Sequence, residues 1–104
     1  MSEFTPLSIT TDASADAWRV VAAGELDIAG VPGLEAAIAA AHDAGARQIV
    51  LDLSQVTFVD SSGIRVLVDA AARDHGDGRL TIVSSPAVDR VIELSGLREH
   101  LPLA

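Results

Sequence analysis

No cysteine occurs anywhere in the chain. That removes disulfides, thiolate metal ligands and thiol nucleophiles together, and makes the protein's behaviour indifferent to redox state. Aromatic residues are nearly as scarce. Phe4, Trp18 and Phe58 are the whole set, too few and too scattered to stack a base or a flat cofactor. No cofactor is expected, and the core must be aliphatic. No apolar run is long enough to span a bilayer. The opening Met1-Ser2-Glu3-Phe4-Thr5-Pro6 has no basic stretch followed by an apolar segment of the kind that directs secretion, so a cytoplasmic location is the expectation. Basic residues are also few, seven against fifteen acidic ones for a formal charge of −8. Such a balance repels nucleic-acid phosphates and anionic lipid headgroups, so neither nucleic acid nor a bare membrane is an expected partner. A basic protein surface suits it better, although net charge also serves simply to keep a small domain soluble.

Hydrophobic residues make up 49% of the 104 positions, enough for one core and little more. With no linker, repeat or low-complexity segment, a single domain over residues 1–104 is expected. Leu7-Ser8-Ile9-Thr10 alternates as a half-buried strand does, and Trp18 to Ala23 is a second β-prone run after the turn-rich Asp12 to Asp16. These two are expected to pair as a hairpin. Val31, Leu34, Ile38 and Ala41 then fall at helical spacing, with Pro32 near the start and Gly45 past the end. Arg47 to Leu53 holds a nearly continuous apolar run, the mark of a strand buried on both faces in the middle of a sheet. Ile64, Leu67, Val68 and Ala71 predict a second helix up to about His75, before Gly76-Asp77-Gly78. Leu80 to Val83 is a fourth strand. Ser85-Pro86 opens a third helix closed by Gly96, with Leu97 folding back on the cap. The tail from Arg98 is expected to add at most a weakly paired edge strand, because of Pro102. This order predicts right-handed crossovers and a mixed, largely parallel α/β sheet.

The stretch Val59-Asp60-Ser61-Ser62-Gly63 joins a buried strand to a helix, at the carboxyl end of the sheet where open α/β folds gather their functional groups. Unpaired N–H groups and the positive end of the helix dipole would stabilise a phosphoryl group on Ser61 or Ser62. The plainer reading is that Asp60 or Ser61 is an N-cap, worth roughly 1 kcal/mol. Gly63 lies in the first helical turn, where glycine is unfavourable. Either a docking partner approaches the backbone there, or the chain needs a special backbone angle on leaving the strand. Glu25 or Asp27, at the end of the second strand, is expected on the same rim as Asp60. Arg65, Asp69 and Arg73 follow at i, i+4 spacing. Mutual ion pairing is their default role, and a docking face beside Ser61 is the functional alternative.

Enzyme readings fare worse. Asp60-Ser61-Ser62-Gly63 is not a Gly-x-Ser-x-Gly elbow, no base is in register, and no Gly-x-x-x-x-Gly-Lys loop occurs. His42, His75 and His100 show no metal-ligand spacing and read as ordinary solvated histidines.

Three segments together, Gly24-Glu25-Leu26-Asp27, Ile49-Val50-Leu51-Asp52-Leu53 to Val59-Asp60-Ser61-Ser62-Gly63, and Ser84-Ser85-Pro86-Ala87-Val88 to Leu94-Ser95-Gly96-Leu97, resemble a STAS domain of the anti-sigma factor antagonist type. The resemblance covers nearly the whole chain in the right order. It implies a single domain with a four- or five-stranded mixed sheet and helices packed mainly on one side, acting as a bacterial partner-switching module. It further implies binding of an anti-sigma factor that is also a serine kinase, phosphorylation of Ser61 by that kinase with ATP, and reversal by a metal-dependent serine phosphatase. Asp27 matches the family's acidic residue near the docking surface, and Asp60 and Ser62 flank the phosphosite. The family commonly continues Leu-Gly where this chain has Ile64-Arg65, which bears on the identity of the partner. No counterpart of the last helix that many members carry is expected within these residues. Two other classes remain: a STAS scaffold or accessory subunit of a stress-signalling complex or lipid-transport ATPase, with Ser61 only a cap or modified by another kinase, and a small serine hydrolase.

Overall fold

Sheet order follows from which segments alternate and which do not. In the computed structural model, which describes residues 5–14, 16–74 and 78–104, the two alternating segments form β1 (Ser8–Ala13) and β2 (Ala17–Leu26), paired antiparallel with Ile9 opposite Ala22. Helix α1 (Val31–Asp43) carries Pro32 in its first turn and crosses to β3 (Gln48–Val59), parallel to β2. Helix α2 (Ser61–Asp74), strand β4 (Leu80–Val83) and helix α3 (Pro86–Ser95) follow, with β4 parallel to β3. The sheet order β1-β2-β3-β4 places the apolar run of β3 in the interior, as its hydrophobicity predicts.

Register fixes which face is covered. Val20 lies beside Leu51 and Leu51 beside Ile82, while Ile49 lies beside Leu80. All five are buried in one cluster with Leu34 and Ile38 of α1, Leu67 of α2, and Val88 and Ile92 of α3. Each such side chain contributes about 1.5–3 kcal/mol when fully buried. Residues between them on β2, such as Arg19 and Val21, point to the other face and stay at least partly exposed. On that face Asp52 is buried against the Arg19 guanidinium and accepts the Ser54 N–H at 2.9 Å. Burial alone would raise the Asp52 pKa, but the Ser54 hydrogen bonds and Arg19 outweigh it and hold the carboxyl below its ordinary value.

Several boundaries differ from expectation. β3 does not end near Leu53 but runs on to Val59, half-buried and broken from strict register opposite Val21–Ala23 and Gly24–Glu25. The polar Ser54, Gln55 and Thr57 mask that extension because they face solvent. α2 begins at Ser61, one turn before the first apolar residue of its buried stripe. Its expected end at His75 lies outside the described residues. The α3 caps form as read. Ser85 Oγ accepts the Val88 N–H at 3.2 Å, and Leu97 N–H donates to the Ile92 carbonyl at 3.1 Å beyond Gly96. The tail pairs weakly with β4: Ile82 N–H donates to the Pro102 carbonyl and Ala104 N–H to the Ile82 carbonyl, both at 2.9 Å. Pro102 is tolerated because only its carbonyl is used.

His42 is a correction. Its Nε2 is buried without a hydrogen bond among the described residues, not solvated. Burial first, then the charges of Arg79 and Arg73, lower its pKa against the opposing pull of Asp74 and Asp43. Nor do Arg65, Asp69 and Arg73 pair with one another within 4.0 Å. Asp69 and Arg73 instead line a groove between α1 and α2 with Glu35, Ile38, Val66 and Ala70. Among the described residues no helix is long and apolar enough to cross a membrane.

Candidate functional site

Because β2 and β3 are parallel, their carboxyl ends share one edge of the sheet. Leu26 lies beside Val59 as the last pair, and the Asp60 N–H donates to the Leu26 carbonyl at 3.3 Å. The next residues along the two chains are therefore Asp27 on one side and Asp60-Ser61 on the other, at the position where such sheets place functional groups.

Asp60 is the cap of α2. Its Oδ1 accepts the backbone N–H groups of Ser62 at 3.0 Å and Gly63 at 3.2 Å, and also the Ser62 hydroxyl at 2.5 Å. Its carbonyl accepts the Ile64 N–H at 3.1 Å. The Ser62 hydroxyl is the largest influence on the Asp60 carboxyl. With the two backbone donors it outweighs partial burial and lowers the pKa. The sequence left the cap open between Asp60 and Ser61, and the geometry assigns it to Asp60. The same bonds separate the two serines. Ser62 is half-buried and its hydroxyl is committed to Asp60, whereas Ser61 is exposed and no described residue holds its hydroxyl.

Since the folded pKa of Asp60 is depressed, its stabilising contribution is complete above the ordinary carboxylate range of about 4 and is lost as pH falls through the lowered value. Asp60→Ala is expected to cost about 1 kcal/mol at neutral pH, and Asp60→Asn less. Both variants should flatten the acid limb of the stability curve in urea titrations between about pH 5 and pH 2. An unchanged acid limb would remove Asp60 from this role.

Gly63 is buried, and the close approach comes from within the chain. A Cβ there would stand 2.7 Å from Leu26 Cγ and 2.7 Å from Val59 Cγ2. Neither an incoming partner nor a special backbone angle is needed to explain it. Asp27 accepts the N–H groups of Ala29 at 3.1 Å and Gly30 at 3.3 Å through Oδ1, an Asx turn that aims the chain into α1. Glu25 is set back from the rim beside Phe58, where Oε2 accepts the Thr5 N–H at 2.9 Å. Gly24, at φ 104, allows this, since any Cβ would meet the Pro6 carbonyl oxygen at 2.7 Å. The rim thus brings together Asp27, Asp60, Ser61 and Ser62, while Glu25 is occupied by the N-terminal segment. Arg65 lies one turn further along α2, exposed.

Ile28 has no counterpart in the sequence reading. It is 76% exposed, next to Asp27, and the only clue to it is an apolar residue that fits neither the strand nor the helix pattern. Phe58, named above only as a scarce aromatic, is 46% exposed behind the same edge. Among the described residues no three His, Asp or Glu side chains gather as a metal site.

Comparison with known proteins agrees with this architecture. The family model described as "Mlab, STAS domain" matches residues 9–103, so the chain belongs to the STAS domain family. It is 32% identical over 95 residues to an anti-sigma-B factor antagonist of Staphylococcus aureus, covering 89% of this chain and 88% of that protein. Identity is 35% over 83 residues, 78% of this chain and 72% of the other, with the putative anti-sigma factor antagonist BtrV of Bordetella bronchiseptica. Among solved structures, an anti-sigma factor antagonist from Mycobacterium paratuberculosis superposes with a TM-score of 0.85 at 29% identity, covering 97% of this chain and 89% of that one.

Proposed function

We propose that this chain is an anti-sigma factor antagonist that works by partner switching. Unmodified, it binds an anti-sigma factor that is also a serine kinase, and the sigma factor is freed. The kinase transfers the γ-phosphoryl of ATP to Ser61 Oγ, the hydroxyl proton leaves to the kinase's base, and ADP departs. The phosphorylated chain lets go, and a serine phosphatase resets it by hydrolysis. In this reading the chain is a ligand and a substrate, not an enzyme.

The observation that carries the proposal is the division of labour between Asp60 and Ser61. Asp60 caps the helix, so the Ser61 hydroxyl is exposed and free at the helix start. A phosphoryl group there adds about −1.5 to −2 charge at neutral pH beside Asp60 and Asp27. Unmodified, the rim offers a partner an exposed Ile28 next to Asp27. Once modified, the same surface must desolvate a dianion, which favours release.

The test is intact-mass analysis of the protein and its Ser61→Ala variant after incubation with Mg-ATP and anti-sigma kinases of the same organism. One phosphoryl on the wild type and none on the variant is expected. No modification by kinases that are active on their own substrates would move the scaffold reading ahead.

A further inference from the structure

We infer that Arg65 is the internal counter-ion for a phosphate on Ser61, a role that rests on Ser61 being the modified residue. All seven basic residues are arginines, and most have other engagements. Arg19 binds Asp52, Arg47 lies 3.9 Å from Asp16, Arg79 binds the Ala46 carbonyl, and Arg98 reaches Asp89 and Glu93. Arg65 is exposed and makes no ion pair within 4.0 Å among the described residues.

Ser61 and Arg65 stand one turn apart in α2, and both are exposed, as is Asp69 one turn beyond. Side chains at i and i+4 are neighbours on a helix, and an acid four residues before a base is the favourable order. Arg65 facing Asp69 has the reverse order, and those two side chains do not pair. A phosphate on Ser61 completes the favourable order. It also adds negative charge at the helix start, where Asp60 is the cap and no acidic residue lies in the first turn itself. Arginine suits the task, because its planar fork can grip two phosphate oxygens at once.

The consequence for the switch is twofold. Before modification the guanidinium is free to meet a partner's carboxylates. Afterwards it is drawn onto the phosphate, so a single phosphoryl group adds an anion to the docking face and withdraws a cation from it.

The test uses the full chain with phosphoserine installed at position 61 by genetic encoding, which needs no kinase. The ionisation of the phosphate is followed by phosphorus NMR against pH at low salt. The midpoint in the wild type should lie about half a pH unit below that in Arg65→Gln. Arg65→Lys should recover most of the difference, and 1 M salt should erase most of it. The helix start acts equally on all three proteins, so only the side chain at position 65 sets the difference. Equal midpoints in the three proteins would overturn the assignment and leave the switch intact. A kinase that fails to modify Ser61 would bring down the switch and leave this titration readable.

Discussion

Phosphoserine at position 61 is expected to weaken binding to the anti-sigma kinase by about a hundredfold or more, and Ser61→Asp by about tenfold, while Ser61→Ala binds within about threefold of the unmodified chain. A hundredfold is about 2.7 kcal/mol, within the range that desolvating a charged group costs at an interface. The alanine variant should lose nothing structural. The Ser61 hydroxyl of the wild type carries no hydrogen bond among the described residues, and Asp60, not Ser61, caps the helix. The variant's melting temperature is therefore expected to match the wild type, which separates a binding effect from a folding effect. Isothermal titration of all four forms against the kinase, without ATP, reads the affinities. Equal binding by the alanine and aspartate variants would sink the charge argument.

Gly63→Val is expected to destabilise the fold by about 3 kcal/mol, lowering the melting temperature by roughly 10 °C or more. Already the first added carbon lies 2.7 Å from both Leu26 Cγ and Val59 Cγ2. These belong to the last residue pair of β2 and β3, whose backbones are hydrogen-bonded across the sheet and cannot retreat far. The start of α2 must lift instead, and with it Asp60 and Ser61. Gly63→Ala should show the same effect at about 1 kcal/mol, because better helix propensity offsets part of the overlap. Calorimetric melting of both variants checks the order. Wild-type stability in Gly63→Val would mean that the helix start is not pressed against the sheet.

Where the sequence was legible, one force dominated locally. β3 between Ile49 and Leu53 is continuous apolar chain and sits inside the sheet. Ser85 and Gly96 bracket α3 because each supplies an identifiable hydrogen bond or backbone angle. The rim was legible as far as topology reaches, since parallel strands bring Asp27 and Asp60 together whatever their side chains do. What escaped depends on contacts between distant segments. Gly63 is pressed against Leu26, thirty-seven positions away, as well as Val59, and a contact with so distant a residue leaves no mark in the local pattern. Glu25 belongs to the N-terminal segment through Thr5, a pairing that no local pattern encodes. The cap was ambiguous because Asp60 and Ser61 are both good caps, and only geometry shows which oxygen faces the free N–H groups. His42 looked like any exposed helical histidine, because nothing in its own turn signals that its Nε2 is buried.

The central claim is that Ser61 decides whether this chain frees a sigma factor. The direct measurement is anisotropy of a fluorescently labelled sigma factor held by its anti-sigma kinase, with the unmodified chain or the phosphoserine-61 chain added in turn. The unmodified chain is expected to release the sigma factor and lower the anisotropy to that of the free protein, and the phosphorylated chain to leave it bound at the same concentration. Equal release by both forms, or release by neither from a complex that a known antagonist dissociates, would contradict the account.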